Sequence, residues 1–200
     1  MQSSDAFYIS ENDPPSKRGI LKAALKLFAQ SGVDGTNIRA IAAESGYTNP
    51  ALFKHFESKE ALALYLFEKC YLQNLFVLTS AVSAKNTYPE KLRALVQAFA
   101  EFINTQPEAF FFVQENLREY WPKLSQTTRQ HSLFGQFRHL LQQGRSEGVI
   151  NSAIAIDIQL AALTGFLSHL ARMNYFNELK TGIVARTDEI EEMIIKMFQP

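Results

Sequence analysis

TNIRAIAAESGYTNPALFKHFESK, residues 36–59, divides into two short helices joined by a tight turn, with a third helix starting at Ser58. Thr36 is a good N-cap, and Ile38, Ile41 and Ala42 then recur at i, i+3 and i+4 as a one-sided apolar stripe. Ser45-Gly46 ends that helix, because glycine tolerates the left-handed backbone a helix terminus often needs. Thr48 caps the next helix. Pro50 falls in its first turn, where a missing N–H costs little. Leu52 and Phe56, four apart, face the first helix, and alanines 40, 42 and 43 permit close approach. Two short helices around a glycine-bearing turn make a helix-turn-helix.

The outward face of the second helix carries Thr48, Asn49, Ala51, Lys54 and His55, all small, hydrogen-bonding or cationic. Such a face suits the major groove of DNA. Asn pairs with adenine through two hydrogen bonds there, and an apolar surface such as Pro50 meets a thymine methyl. An ordinary solvated face on a helical hairpin accounts for the polar residues equally well. The capped, glycine-turned geometry favours DNA. Lys59, beside the free N–H groups that open the third helix, forms a ready phosphate clamp.

Residues 17–60 resemble the DNA-binding domain of the TetR family of bacterial transcriptional repressors. The likeness lies in LKAALKLFAQSG and then in TNIRAIAAESGYTNPALFKHFESKEAL. On that resemblance Thr36, Ala51, Phe53, His55 and Lys59 stand where the family touches phosphates. Arg39, Thr48, Asn49, Pro50 and Lys54 stand where it approaches bases. Phe53 occupies a position where the family usually carries Tyr, so a phenolic hydrogen bond to phosphate is missing.

The 200 residues are 46% apolar and 20% charged, enough to bury a substantial core. Net charge is zero, but unevenly spread. Residues 16–60 hold seven Lys/Arg against four Asp/Glu, hence +3, whereas residues 61–200 hold thirteen of each. A local excess on a neutral body fits a head that reads DNA rather than a protein that coats it. Cys70, the single cysteine, excludes an internal disulfide and lies in an apolar helix, which favours inert packing over a reactive thiol. Residues 1–15 carry three acids and no base, and read as a disordered leader without the basic start and apolar run of a signal peptide. No run approaches 18 uninterrupted apolar residues, so the expectation is a cytoplasmic protein with no membrane partner.

Ser16–Ser31 reads as the first helix, with Leu21, Leu25 and Phe28 covering the helix-turn-helix from behind. Only Lys17 and Arg18 could form a basic arm for the minor groove. The helix from Ser58 extends to about Ala84 and links head to body. Helices then follow over 89–106, 108–120, 125–143, 155–177 and 187–198. Their aromatic residues read either as plain core or as a cavity for an apolar effector. Phe99, Phe102, Phe110, Trp121, His131 and Phe134 are the candidate lining. The helix over 155–177 is apolar nearly all round, so something must cover it. Its small residues Ala161, Gly165 and Ser168, with Met193 and Met197 on the last helix, suit a four-helix bundle formed with a second chain. A core within one chain is the alternative, and the family resemblance also implies a dimer.

No constellation for catalysis, cofactor or metal binding emerges. The histidines lack HExxH or cysteine company, and His131 and His139 lie about 12 Å apart along a helix, too far to share a metal. The expected architecture is all-α: a leader (1–15), a three-helix DNA-binding head with a helix-turn-helix (16–60), and a helical-bundle body for effector binding and dimerisation (61–200). The expected function is a ligand-responsive repressor, with double-stranded operator DNA, a small apolar or aromatic effector and a second copy as partners. A helical carrier of lipids or hydrophobes, and a ligand-independent architectural DNA binder, are the alternatives.

Overall fold

The computed structural model describes residues 7–200, and among these the regular structure is helical, with no strand. The chain groups into two compact units. One comprises the chain to Gln73 together with Glu108–Leu124; the other comprises Asn74–Pro107 and Ser125–Pro200. The sequence split at residue 60 follows the DNA-binding motif, whereas packing assigns residues 61–73 and 108–124 to the same unit as that motif.

In the first unit α1 (Pro15–Gly35) buries Leu21, Leu25 and Phe28 and packs on α2 (Ile38–Ser45) and α3 (Asn49–Phe53). Gly32 breaks α1 at φ 72°, ψ 166°, a conformation essentially reserved for glycine. The start of α4 (Lys59–Ser83) and α6 (Pro107–Tyr120) complete the unit. Phe28 stacks on Phe112 at 5.7 Å between ring centroids, Phe67 meets Tyr120 at 5.6 Å, and Tyr71 meets Trp121 at 5.0 Å. These long-range aromatic pairs enlarge the unit beyond the motif.

The leader is corrected in part. Residues 1–6 lie outside the described residues, but Tyr8 and Ile9 are buried. Burial, with the nearby Cys70 and Glu108, pushes the Tyr8 hydroxyl up to about 12. Asp13 accepts from Lys17 at 2.7 Å and from the Ser10 N–H at 2.8 Å, and Arg18 donates to the Asp13 and Glu11 carbonyls. The Lys17 ammonium also lies 5.0 Å from the Tyr65 ring. Both cations considered for a minor-groove arm thus bind the leader to α1.

The second unit contains α5 (Tyr88–Thr105), α7 (Gln126–Gln130), α8 (Leu133–Ser146), α9 (Ile156–Tyr175) and α10 (Thr187–Phe198). Thr87 and Glu90 form a capping box that starts α5. The helix expected over 125–143 is two, because His131 adopts φ −101°, ψ 55° and Ser132 caps a new start. α5 packs on α8, α9 and α10. Buried Gln159 accepts from Arg145 and donates to the Asn151 carbonyl, and Asn174 donates to the Ile103 carbonyl.

By length and composition alone α4 resembles a membrane span, although it holds no 18 uninterrupted apolar residues. Its apolar stripe is instead buried within the chain, through Leu62, Leu66, Phe67, Cys70, Tyr71 and Leu78. Burial raises the Cys70 thiol far above its ordinary range, which leaves it protonated and inert.

Candidate nucleic-acid interface

Three caps shape this interface. Gly46 ends α2 in the left-handed conformation, at φ 74°, ψ 16°, and its N–H returns to the Ala43 carbonyl at 3.3 Å. Thr48 caps α3 and accepts from the Ala51 N–H at 3.4 Å, with Pro50 in the first turn as the sequence implied. Leu52 is fully buried beneath. The third cap corrects the sequence reading: Asn37, not Thr36, starts α2, accepting from the Ala40 N–H at 2.9 Å.

Thr36 closes α1 instead. Its side chain is buried, and its hydroxyl donates to the Gly32 carbonyl at 2.8 Å and the Leu27 carbonyl at 3.3 Å. A phosphate contact from the Thr36 side chain is therefore incompatible with this packing. The exposed Asn37 beside it was missed, because two adjacent cap-competent residues are indistinguishable by sequence pattern alone.

Lys59 also differs from a free phosphate clamp. Its ammonium donates to the Val33 carbonyl at 2.6 Å and the Thr36 carbonyl at 2.9 Å. Two of its three protons are thereby committed to the joint between α1 and α2. His55 lies 2.8 Å from the Ser16 hydroxyl through Nε2, which ties the end of α3 to the start of α1. The Ala51 N–H is taken by the Thr48 cap. Phe53 presents an open ring, 51% exposed, with no hydroxyl to offer.

The residues expected to approach bases are differently placed. Arg39, Thr48, Pro50 and Lys54 are exposed and Asn49 is half-buried. Among the described residues no carboxylate pairs with Arg39 or Lys54, whereas Lys26 pairs with Glu44 at 2.6 Å. Two uncommitted cations, an amide and a proline thus surround a short, rigidly capped helix. That arrangement can donate to base edges and phosphates without first breaking an internal ion pair.

The proposed effector lining is dispersed. Phe99 and Phe102 are buried in the second unit, and Phe110 is buried and Trp121 half-buried in the first. His131 and Phe134 are corrections: both are exposed, Phe134 by 50%. The break at 131–132 causes this, since the His131 ring turns back to the Thr127 carbonyl and Phe134 falls on the outer side of α8. Of the dimer candidates, Ala161, Gly165 and Met193 are exposed, and Ser168 and Met197 are half-buried.

Residues 20–66 match the family described as bacterial regulatory proteins, tetR family. An HTH-type transcriptional regulator of Bacillus subtilis, YuxN, is 35% identical over 94 residues, covering 44% of this chain and 32% of that protein. This chain therefore matches about a third of that relative's length. The ketosteroid transcriptional regulator KstR2 of Mycobacterium tuberculosis superposes with TM-score 0.79 at 18% identity, covering 96% of this chain and 97% of that one. FadR from Bacillus subtilis, solved in complex with stearoyl-CoA, superposes with TM-score 0.70 at 18% identity, covering 90% and 97%. At these identities the superpositions speak for the fold. Residues 20–66 thus match the DNA-binding segment of the tetR family of bacterial regulatory proteins, and the rest of the chain shares the helical fold of the superposed regulators.

Proposed function

We propose that the chain is a homodimeric repressor that reads a palindromic operator and is released by an apolar or aromatic effector. The observation that carries the reading is α3 itself, capped by Thr48 and flanked by exposed Arg39 and Lys54 that lack carboxylate partners. Arg39, Asn49 and Pro50 set sequence preference, while Lys54, the Phe53 edge and the remaining Lys59 proton meet the backbone. Two copies place their α3 helices in successive major-groove faces about 34 Å apart, or a small multiple of that.

The effector half draws support from the aromatic body and from the fold neighbours. FadR of Bacillus subtilis was solved with stearoyl-CoA, and KstR2 of Mycobacterium tuberculosis is a ketosteroid transcriptional regulator. A stearoyl chain and a steroid skeleton are both large and apolar, a class that suits the buried Phe99 and Phe102. Release follows if effector and operator prefer different conformations of the dimer.

Selection of duplexes from random DNA at two salt concentrations tests the reading. A regulator enriches one inverted repeat at both, whereas an architectural binder gives a steep salt slope without enrichment. A monomer with no preference among duplexes overturns the proposal.

A further inference from the structure

Among the described residues four polar or charged side chains are buried: Thr36, Asn74, Gln159 and Glu191. Three of them are answered. The Thr36 hydroxyl donates to two carbonyls, Gln159 bonds to Arg145 and Asn151, and Glu191 accepts from Arg93 at 3.0 Å. Asn74 differs. It is 2% exposed, and its Oδ1 meets no hydrogen-bond donor.

A buried acceptor left without a donor keeps its desolvation cost uncompensated. Asn is also a weaker helix former than Leu, which has the same branched side-chain shape but is bulkier. The inward stripe of α4 makes the choice sharper. Cys70 and Tyr71 precede Asn74 by one turn, Leu78 follows by one turn, and all three are buried. Core packing alone calls for another apolar side chain at position 74. An amide held there at a stability cost calls for an explanation, and a ligand that brings a donor supplies one.

We propose that Asn74 is an effector-binding residue, whose Oδ1 accepts a hydrogen bond from a hydroxyl or amide N–H on an otherwise apolar molecule. The proposal rests on the effector half of the reading above and narrows it. A plain saturated chain leaves Oδ1 as it is, whereas a hydrophobe with a donor at that depth satisfies it. Discrimination of this kind is strong, because the analogue without the donor strands a buried polar atom. Position 74 also has a route to the output, since it lies on the same continuous helix as Lys59.

Asn74→Leu tests the idea in the full chain, first without ligand. Removing the orphaned amide should leave the thermal midpoint equal to or above that of the wild type. A fall of several degrees means that the amide is satisfied internally, by ordered water or by the chain, and overturns the proposal. Calorimetric titration then compares matched probes: stearate with 12-hydroxystearate, and androstanedione with androsterone. The wild type should favour the hydroxylated member of at least one pair by about tenfold, equivalent to 1.4 kcal/mol, and Asn74→Leu should bind both members equally. A preference that survives in Asn74→Leu overturns the proposal. Equal binding of both members by the wild type overturns the Asn74 site but leaves the effector reading standing. Binding of no probe overturns the site and the effector half together, with operator selection still deciding the DNA half. If Asn74→Leu does not fold, Asn74→Ala, which cannot overpack, carries the same comparison.

Discussion

The surface around α3 and the surface along α9 and α10 both face solvent, but they are finished in different ways. Around α3 each short helix end is capped by its own sequence, and the exposed groups are amide, hydroxyl, guanidinium and ammonium. Water satisfies that surface until DNA replaces it. Along α9 and α10 the exposed groups are apolar, with Ile158 at 60%, Met193 at 48% and Ile195 at 43%. Gly165 lies two turns along α9 from Ile158, and a Cβ built there meets nothing within 4 Å. Large apolar side chains left exposed in this way are what the proposed partner copy would cover. The first surface is complete as a monomer and waits for a polar partner. On the proposed function the second is covered by another copy of the chain.

Several substitutions break or sharpen that contrast. The largest effect is expected at Gly165→Arg. The open space admits the side chain without disturbing the fold, but the guanidinium would be buried against a second copy. Sedimentation equilibrium should show dimer weakening on the order of 3–5 kcal/mol, the size of an unpaired buried charge, with circular dichroism unchanged. A dimer of wild-type affinity would place the interface elsewhere. On the polar surface, Asn49→Ala and Arg39→Ala should each weaken operator binding by about 1–3 kcal/mol, read by fluorescence anisotropy, and leave the dimer intact. Equal weakening on random DNA would reassign them to phosphate contacts.

Gly32→Ala probes the scaffold behind the polar surface. Its backbone at φ 72°, ψ 166° strains any residue with a Cβ, so urea unfolding should show a loss of about 1–3 kcal/mol. The smallest effect concerns the leader. Burial acts to raise the Asp13 carboxyl, but hydrogen bonds from Lys17 and the Ser10 N–H outweigh it and hold the group below its ordinary range. A depressed carboxylate contributes stability above its unfolded value of about 3.9, and that contribution is lost as pH falls through the lower folded value. Protection of the amides over residues 8–13, measured relative to the intrinsic exchange rate at each pH, should therefore fall only in acid. Asp13→Asn should show the reduced protection already at neutral pH.

The polar surface was legible in the sequence because its determinants are local. Gly46, Thr48 and Pro50 act within one turn of chain, and each stands where it was expected. The bounds of α10, Thr187–Phe198, follow from the same kind of signal. What escaped depends on distant partners or on near-equal local choices. Asn37 competes with Thr36 for the cap, and burial of Thr36 decides the outcome. Ser132 starts a helix without glycine or proline to announce it. Phe112 and Tyr120 join the first unit through ring pairs, and Tyr8 through burial near Cys70 and Glu108, all dozens of residues apart, which no short window contains. The effector lining was the least legible part, since a list of aromatics does not say which of them turn inward. His131 and Phe134 turned outward.

The bond pair at Lys59 has a mechanical consequence. Because its ammonium is fastened to the Val33 and Thr36 carbonyls, the first residue of α4 works as a pin through the corner where α1 hands over to α2. Sliding or tilting the start of α4 would drag that corner with it, so a small displacement of the helix would become a turn of the surface proposed to meet the bases.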